Sequence, residues 1–174
     1  MMHKNCCTCR AALSIILVAA ILFAGCKKNT QNTYTRLCGI MSSYSEMLPS
    51  VSVYYSRAEE GETTHIDTGM ISAMLGDGKE YPTEMSGCAE YAFFCASGVY
   101  LCEVWVIECR THTSARAVFS LFEKRQKRIM SLEYESDTDT SAANNATLVR
   151  DGRYVYFAVS TYAGQITDDL QKRV

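Results

Sequence analysis

Cys88, Cys95, Cys102 and Cys109 recur at equal spacing in a chain of 174 residues that holds 9 cysteines. They fall in two runs rich in aromatic and β-branched residues, 89–96 and 100–109, around Ser97-Gly98-Val99. Such a pattern predicts an antiparallel hairpin. A register centred on Gly98-Val99, with Gly at the first loop position of a type II′ turn, sets Cys95 opposite Cys102 and Cys88 opposite Cys109. One pair then takes a hydrogen-bonded site, near 5.5 Å between Cα atoms, and the other a non-hydrogen-bonded site, near 4.5 Å. Both fall within the roughly 4.4–6.8 Å span of disulfides. The expected chemistry is cross-strand oxidation in an oxidising compartment, with Cys95–Cys102 favoured by its shorter loop. The same four positions also suit small, buried apolar side chains.

Other constellations are thin. A hydrolase needs a nucleophile with a base in reach. Beyond residue 25 the chain has only His65 and His112, and no Gly-x-Ser-x-Gly elbow, phosphate loop or Cys-x-x-Cys. Cys109 and His112 supply two metal ligands where a site needs a third. Asp137-Thr-Asp139-Thr-Ser141 has the spacing of a calcium loop, but Ala142 stands at its glycine position and Leu148 at its bidentate glutamate. No catalysis, metal or cofactor is expected.

The N-terminus carries an address. Lys4 and Arg10 precede an uncharged run of 15 residues, Ala11 to Gly25. A membrane-spanning helix needs about 20. The charged start and short apolar run match a secretory signal. The run ends in Leu22-Phe23-Ala24-Gly25-Cys26, which resembles the lipobox of bacterial lipoproteins, and the polar stretch 27–33 follows. That resemblance implies a signal peptide over 1–25, lipid on the Cys26 thiol and a polar tether over 26–33. Cys6, Cys7 and Cys9 fall in the part that would be removed. Without residues 1–25 the chain keeps 15 basic against 19 acidic side chains, a net of −4, which disfavours nucleic acid as a partner.

Residues 34–174 read as a single domain. Tyr34, Leu37, Ile40, Met41, Tyr44 and Leu48 share a helical face that Pro49 ends. Residues 51–56 alternate weakly, and 63–66 are either a second short strand or loop. Asp67 or Thr68 caps a short helix that Gly76-Asp77-Gly78 stops. After the cysteine hairpin, Thr113 or Ser114 opens a helix with Ala115, Val118, Phe119, Phe122, Ile129 and Met130 on one stripe. Residues 131–145 read as an acidic loop. Runs 146–150 and 153–160 flank Asp151-Gly152, a second hairpin signal, and a last helix covers 164–172. The fold class is α+β: two short helices, then hairpin, helix, hairpin, helix, with one antiparallel sheet and helices mainly on one face.

In the cysteine hairpin, Tyr91, Phe93, Cys95, Cys102, Val104 and Val106 are expected beneath the long helix. The opposite face would carry Phe94, Leu101, Trp105 and Ile107, joined by Tyr154 and Tyr156, either as an aromatic binding face or as a surface covered by the N-terminal helices. The run 123–128 on the long helix would face solvent, or anionic headgroups if the domain sits on a membrane.

The signal and lipobox, Glu90-Tyr91, Glu103-Val104-Trp105-Val106, the long charged helix, the Tyr134 loop and the stretch 145–155 occur in the order of a known family. The chain resembles the small bacterial lipoproteins catalogued as domain of unknown function four-three-five-eight. That family brings no established activity or catalytic residue. The sequence therefore predicts a lipid-anchored, extracytoplasmic binding or support module of the cell envelope. Its partners would be the membrane, through Cys26, and an envelope protein or ligand. The alternative is an envelope protein whose paired cysteines do redox work, which requires an exposed thiol of low pKa.

Overall fold

The computed structural model describes residues 32–48, 51–76, 78, 80–96 and 100–172. Cys26, the signal, the stretch 27–31, Pro49, Gly98 and Val99 lie outside the described residues. In chain order the elements are α1 (Thr33–Met41), a 3₁₀ turn (Ser42–Tyr44), β1 (Val51–Tyr55), α2 (Thr68–Leu75) and a second 3₁₀ turn (Thr83–Gly87). Then come β2 (Cys88–Ala96), β3 (Glu103–Cys109), α3 (His112–Met130), α4 (Asp137–Asn144), β4 (Thr147–Asp151), β5 (Tyr154–Val159) and α5 (Ala163–Lys172).

The fold is α+β. Both hairpins enter one five-stranded sheet in the order β1-β2-β3-β5-β4, and every neighbouring pair is antiparallel. Its two faces are both apolar, and both are covered. On one, Phe93, Trp105, Ile107, Val155 and Phe157 meet Ile71 and Leu75 of α2, Val118 and Phe122 of α3, and Ala143 of α4. On the other, Phe94, Val104, Val106 and Tyr156 meet Leu37 and Ile40 of α1 and Ile166 and Leu170 of α5. The strands explain the need for two layers. Residues 104–107 of β3 are each fully buried, a continuous run that one covered face would not satisfy.

The hairpin register departs by one residue from the one the cysteines suggest. Phe93 lies opposite Trp105, Phe94 opposite Val104 and Cys95 opposite Glu103. A slip of one residue exchanges the faces of a whole strand. Val104 and Val106 therefore lie under α1 and α5, while Trp105 lies under α3 with Phe93. Ring stacking holds this register: Phe93 and Trp105 are 4.1 Å apart by centroid, and Phe122 meets Trp105 edge-on at 5.3 Å. The two-residue turn expected at Gly98-Val99 lies outside the described residues. Beside it, the Ala96 N–H donates to the Cys102 carbonyl at 3.0 Å.

Local chemistry sets the helix ends. Asp67 caps α2 through the Met70 N–H at 2.6 Å. Thr111, rather than Thr113 or Ser114, caps α3 in a reciprocal pair with Ser114. The expected acidic loop contains a helix, α4, whose cap is Ser136 and whose first turn holds Asp137 and Asp139. In the second hairpin Asp151 pairs with Tyr154, so the two loop residues are Gly152 and Arg153, and Gly152 takes the left-handed φ of +56°. The segment 58–66 forms no strand beyond a single bridge between Tyr55 and His65.

Burial also perturbs phenols. Tyr91 is pushed up by loss of solvent and by its hydrogen bond with Tyr81. Tyr156 is pushed up chiefly by burial, against the opposing pull of Arg36. A phenol whose folded pKa exceeds its unfolded one stabilises the fold fully below the unfolded value, about 10, and that contribution is lost as pH rises past it. The urea midpoint should therefore fall between about pH 10 and 11.5. Equal midpoints at pH 9 and 11.5 would show that these phenols ionise in place.

Candidate functional site

The two ends of the sheet differ. At the Glu90 end, β2 begins, β3 ends, and Glu90, Glu108, Tyr154 and Asp151 form one row across the strands. Here α1 begins. The Thr33 N–H donates to Glu90 Oε1 at 2.8 Å, and the Tyr55 hydroxyl donates to Oε2 at 3.0 Å. Arg57 pairs with the same carboxylate at 3.1 Å. A carboxylate at a helix N-terminus satisfies an orphan N–H and complements the helix dipole. Arg36, buried one turn on, donates to the Tyr156 hydroxyl at 3.2 Å and lies 4.8 Å above the Tyr154 ring.

The opposite, Glu103 end holds the cleft. Three strand-end loops and the start of α4 meet there around about 470 Å³ of open volume. Met47, Leu48, Leu101 and Ala142 form apolar walls, Tyr100 and Tyr162 supply rings, and Ser136, Thr138, Ser160 and Thr161 supply hydroxyls. Each segment is fixed by its own bonds. The 3₁₀ turn after α1 closes on Leu48, whose N–H donates to the Tyr44 carbonyl at 2.8 Å. Leu101 N–H donates to Asp139 Oδ1 at 2.6 Å, tying the β3 entry to α4. Ser160 is buried and accepts from the Tyr162 N–H at 3.2 Å, and Tyr44 backs the Tyr162 ring at 6.2 Å. Among the described residues no ionisable carboxylate or amine lines this space. Its chemistry is that of a neutral, partly apolar guest: rings to stack on, hydroxyls to orient.

Beneath the cleft lies a buried ion pair. Arg125 from α3 donates to Glu103 Oε2 at 2.7 Å, and Trp105 Nε1–H donates to Oε1 at 2.6 Å. The pair locks α3 to the mouth of β3 without entering the cleft wall.

The expected sites fare unevenly. Cys88 and Cys109 are opposed, whereas Cys95 and Cys102 sit on opposite faces and have no bridge to form. The thiols of Cys95 and Cys102 are pushed up by burial and by the neighbouring Glu103 charge, Cys102 to about 12. Cys109 is lowered by the thiol hydrogen bond of Cys88, but it is fully buried. The hairpin thus supplies no exposed, activated thiol. Trp105, Phe94, Tyr154 and Tyr156 form no aromatic binding face. Trp105 lies under α3, Phe94 and Tyr156 lie on the other side under α1 and α5, and Tyr154 is half-buried beneath Arg36.

The expected basic face of α3 is largely spent. Arg125 is turned to Glu103, Arg128 donates to the Met74 and Gly76 carbonyls, and Gln126 donates to the Ala146 carbonyl, leaving Lys124 and Lys127 exposed. The calcium-like stretch is helical, and Asp139 is committed to Leu101. His65 contacts the Ala58 carbonyl, and His112 stands beside Gly152; neither touches the cleft. Among the described residues no group of three metal-ligating side chains occurs, and no helix is long and apolar enough to cross a membrane. Comparison of the chain with protein-family models, with curated proteins and with solved structures gives no match.

Proposed function

We propose that this protein is a lipid-anchored, extracytoplasmic module of the cell envelope that binds a neutral, partly apolar ligand or protein segment in the cleft at the Glu103 end, without catalysing a reaction on it. The observation that carries the reading is the polarity of the fold. The chain enters at Thr33, pinned to Glu90, and the cleft opens at the other end of β3, about 17 Å away along the strand at roughly 3.3 Å per residue. A lipid on Cys26 followed by a short polar stretch would hold the entry end towards the bilayer and leave the cleft outward. The exposed large apolar residues favour the same end. Met47 lines the cleft, and Met130 and Leu132 follow the α3 turn that binds Glu103.

Two measurements test it. A fatty-acid analogue should label the wild type and fail to label Cys26→Ala; equal labelling of both removes the anchor. Photo-crosslinkers placed in living cells at Thr161, in the cleft wall, and at Arg116, on the exposed side of α3, should give adducts several-fold stronger from position 161. Equal yields from the two positions would remove the cleft as the binding site. Within that scheme Tyr162→Lys, which sets a charge into a neutral cleft, should abolish the position-161 adduct while leaving the thermal midpoint within a few degrees.

A further inference from the structure

None of the five described thiols lines the cleft, and two of them face each other. Cys88 and Cys109 are opposed across β2 and β3, and they pair only because the strand is irregular. From Glu90 onward each β2 residue faces the partner set by the Phe93–Trp105 register, but between Cys88 and Glu90 the register shifts by one residue. Such a bulge sets two residues against one and turns the first onto the other face. Cys88 thereby joins Tyr91 and Phe93 on the α3 side, directly across from Cys109.

The backbone bonds define the site. Cys109 N–H donates to the carbonyl of Arg153, the residue before β5, at 2.9 Å, and the next residue, Arg110, donates to the Gly87 carbonyl at 3.0 Å. In an antiparallel strand the N–H and C=O of one residue point the same way. Towards β2, therefore, Cys109 holds a non-hydrogen-bonded position, where opposed Cα atoms lie near 4.5 Å and side chains approach closest. That separation is within the disulfide range. Both residues are thiols in this structure.

We propose that Cys88 and Cys109 form a structural cross-strand disulfide in the native protein, leaving Cys38, Cys95 and Cys102 as thiols. The bond requires an oxidant. In the extracytoplasmic location proposed above, on which this inference rests, a thiol–disulfide oxidoreductase supplies it. One Cys thiolate attacks the oxidant's disulfide, forming a mixed disulfide and releasing one oxidant thiolate. The second Cys thiolate then displaces the other. Two protons and two electrons leave the pair, and the oxidant's disulfide becomes a dithiol.

Access fixes when this happens. Cys109 is fully buried and Cys88 nearly so, beneath the start of α3. Gly87 lies so close to α3 that a Cβ there would come within 2.5 Å of Ser114 Cβ. The bridge therefore closes after the hairpin forms and before α3 docks, and afterwards it is shielded from exchange. This is a permanent staple and not a redox centre.

The test uses the processed, lipid-bearing protein extracted in detergent. The reduced, denatured chain is refolded in glutathione redox buffer, then unfolded without reductant, alkylated and mapped by mass. The expected result is a linked Cys88–Cys109 peptide with Cys38, Cys95 and Cys102 alkylated. Reduction should lower the thermal midpoint by roughly 10 °C, the scale for a closed loop of about 22 residues in a domain of this size. The Cys88→Ala/Cys109→Ala variant should be indifferent to reductant, and Cys95→Ala/Cys102→Ala should keep the full shift. Alkylation of all five thiols overturns the proposal, as does any other linkage. So does a soft metal ion bound stoichiometrically to the reduced pair, for which Met85 Sδ, 4.0 Å from Cys88 Sγ, would be the third ligand. Alkylating intact cells before lysis separates location from geometry. A pair that is reduced in cells yet bridges on refolding overturns the native bond through the compartment, while the register that opposes the two residues stands.

Discussion

Phe122→Ala should cost about 3–5 kcal/mol, which is enough to leave much of a domain this size unfolded at 25 °C. The ring is fully buried on α3, with centroids 5.3 Å from Trp105 and 5.2 Å from Phe157. It therefore touches β3 and β5, the central strands of the sheet, and truncation opens a cavity beneath the longest helix. The cavity has little room to collapse, because the Phe93–Trp105 stack is held from behind by Tyr54, 4.9 Å from Phe93. Urea unfolding followed by tryptophan fluorescence measures this directly, since the chain has 1 Trp and it lies against the substituted ring. Phe122→Leu, which keeps most of the volume, should lose much less. A loss within about 0.5 kcal/mol for the alanine variant, the range of surface positions, would contradict the packing.

The second large effect concerns Glu103. Its carboxylate is buried and accepts from both Arg125 and Trp105, and the Arg125 side chain is itself only 17% exposed. Glu103→Ala leaves a guanidinium and an indole N–H without an acceptor, and breaking a buried pair in this way costs about 3–5 kcal/mol. Removing both charges is a different matter. Glu103→Leu with Arg125→Met replaces the pair by apolar volume, and such exchanges are often neutral or stabilising. The double variant should recover most of the loss suffered by Glu103→Leu alone. Losses that merely add in the four-variant cycle would mean that the two side chains are not coupled. Glu103→Gln, which keeps an acceptor for the indole, should fall between wild type and Glu103→Ala.

The elements that sequence reasoning located best are those with strong local chemistry. Asp67 before Met70-Ile71, Gly152 in the second hairpin and the apolar stripe of α3 each carry their signal within a few residues. The hairpin register carried no such local mark. Equal cysteine spacing suggested one alignment, whereas stacking of Phe93 on Trp105, which depends on α3 above them, selects its neighbour. The bulge before Glu90 then restores the Cys88–Cys109 pair that the alignment had promised, while the selected register leaves Cys95 opposite Glu103. The burial of Glu90 and Glu103 has no local mark for a related reason. Their partners, Thr33 and Arg125, come from distant helices, and nothing in the strand itself announces them. α4 was missed although Ser136 stands three residues before Asp139, a capping pattern hidden by an otherwise polar composition. The cleft was invisible for a topological reason. Its wall draws on Leu48, Tyr100, Ser136 and Thr161, four separate segments that only the strand order brings together.

The seating of α1 also decides how a tethered domain would yield to a pull. Tension arriving through residue 32 acts first on Thr33 and its bond to Glu90. The helix lies across β2 and β3 and beside α5, outside the ladder of strand bonds. Force would therefore strip it turn by turn, as a zipper opens, rather than shear a whole row of hydrogen bonds at once. The sheet core would stay assembled while Phe94, Val104 and Val106 became bare. In a domain pulled through residue 32, slack would thus come from α1, and the Glu103 end of the sheet would be the last to feel the load.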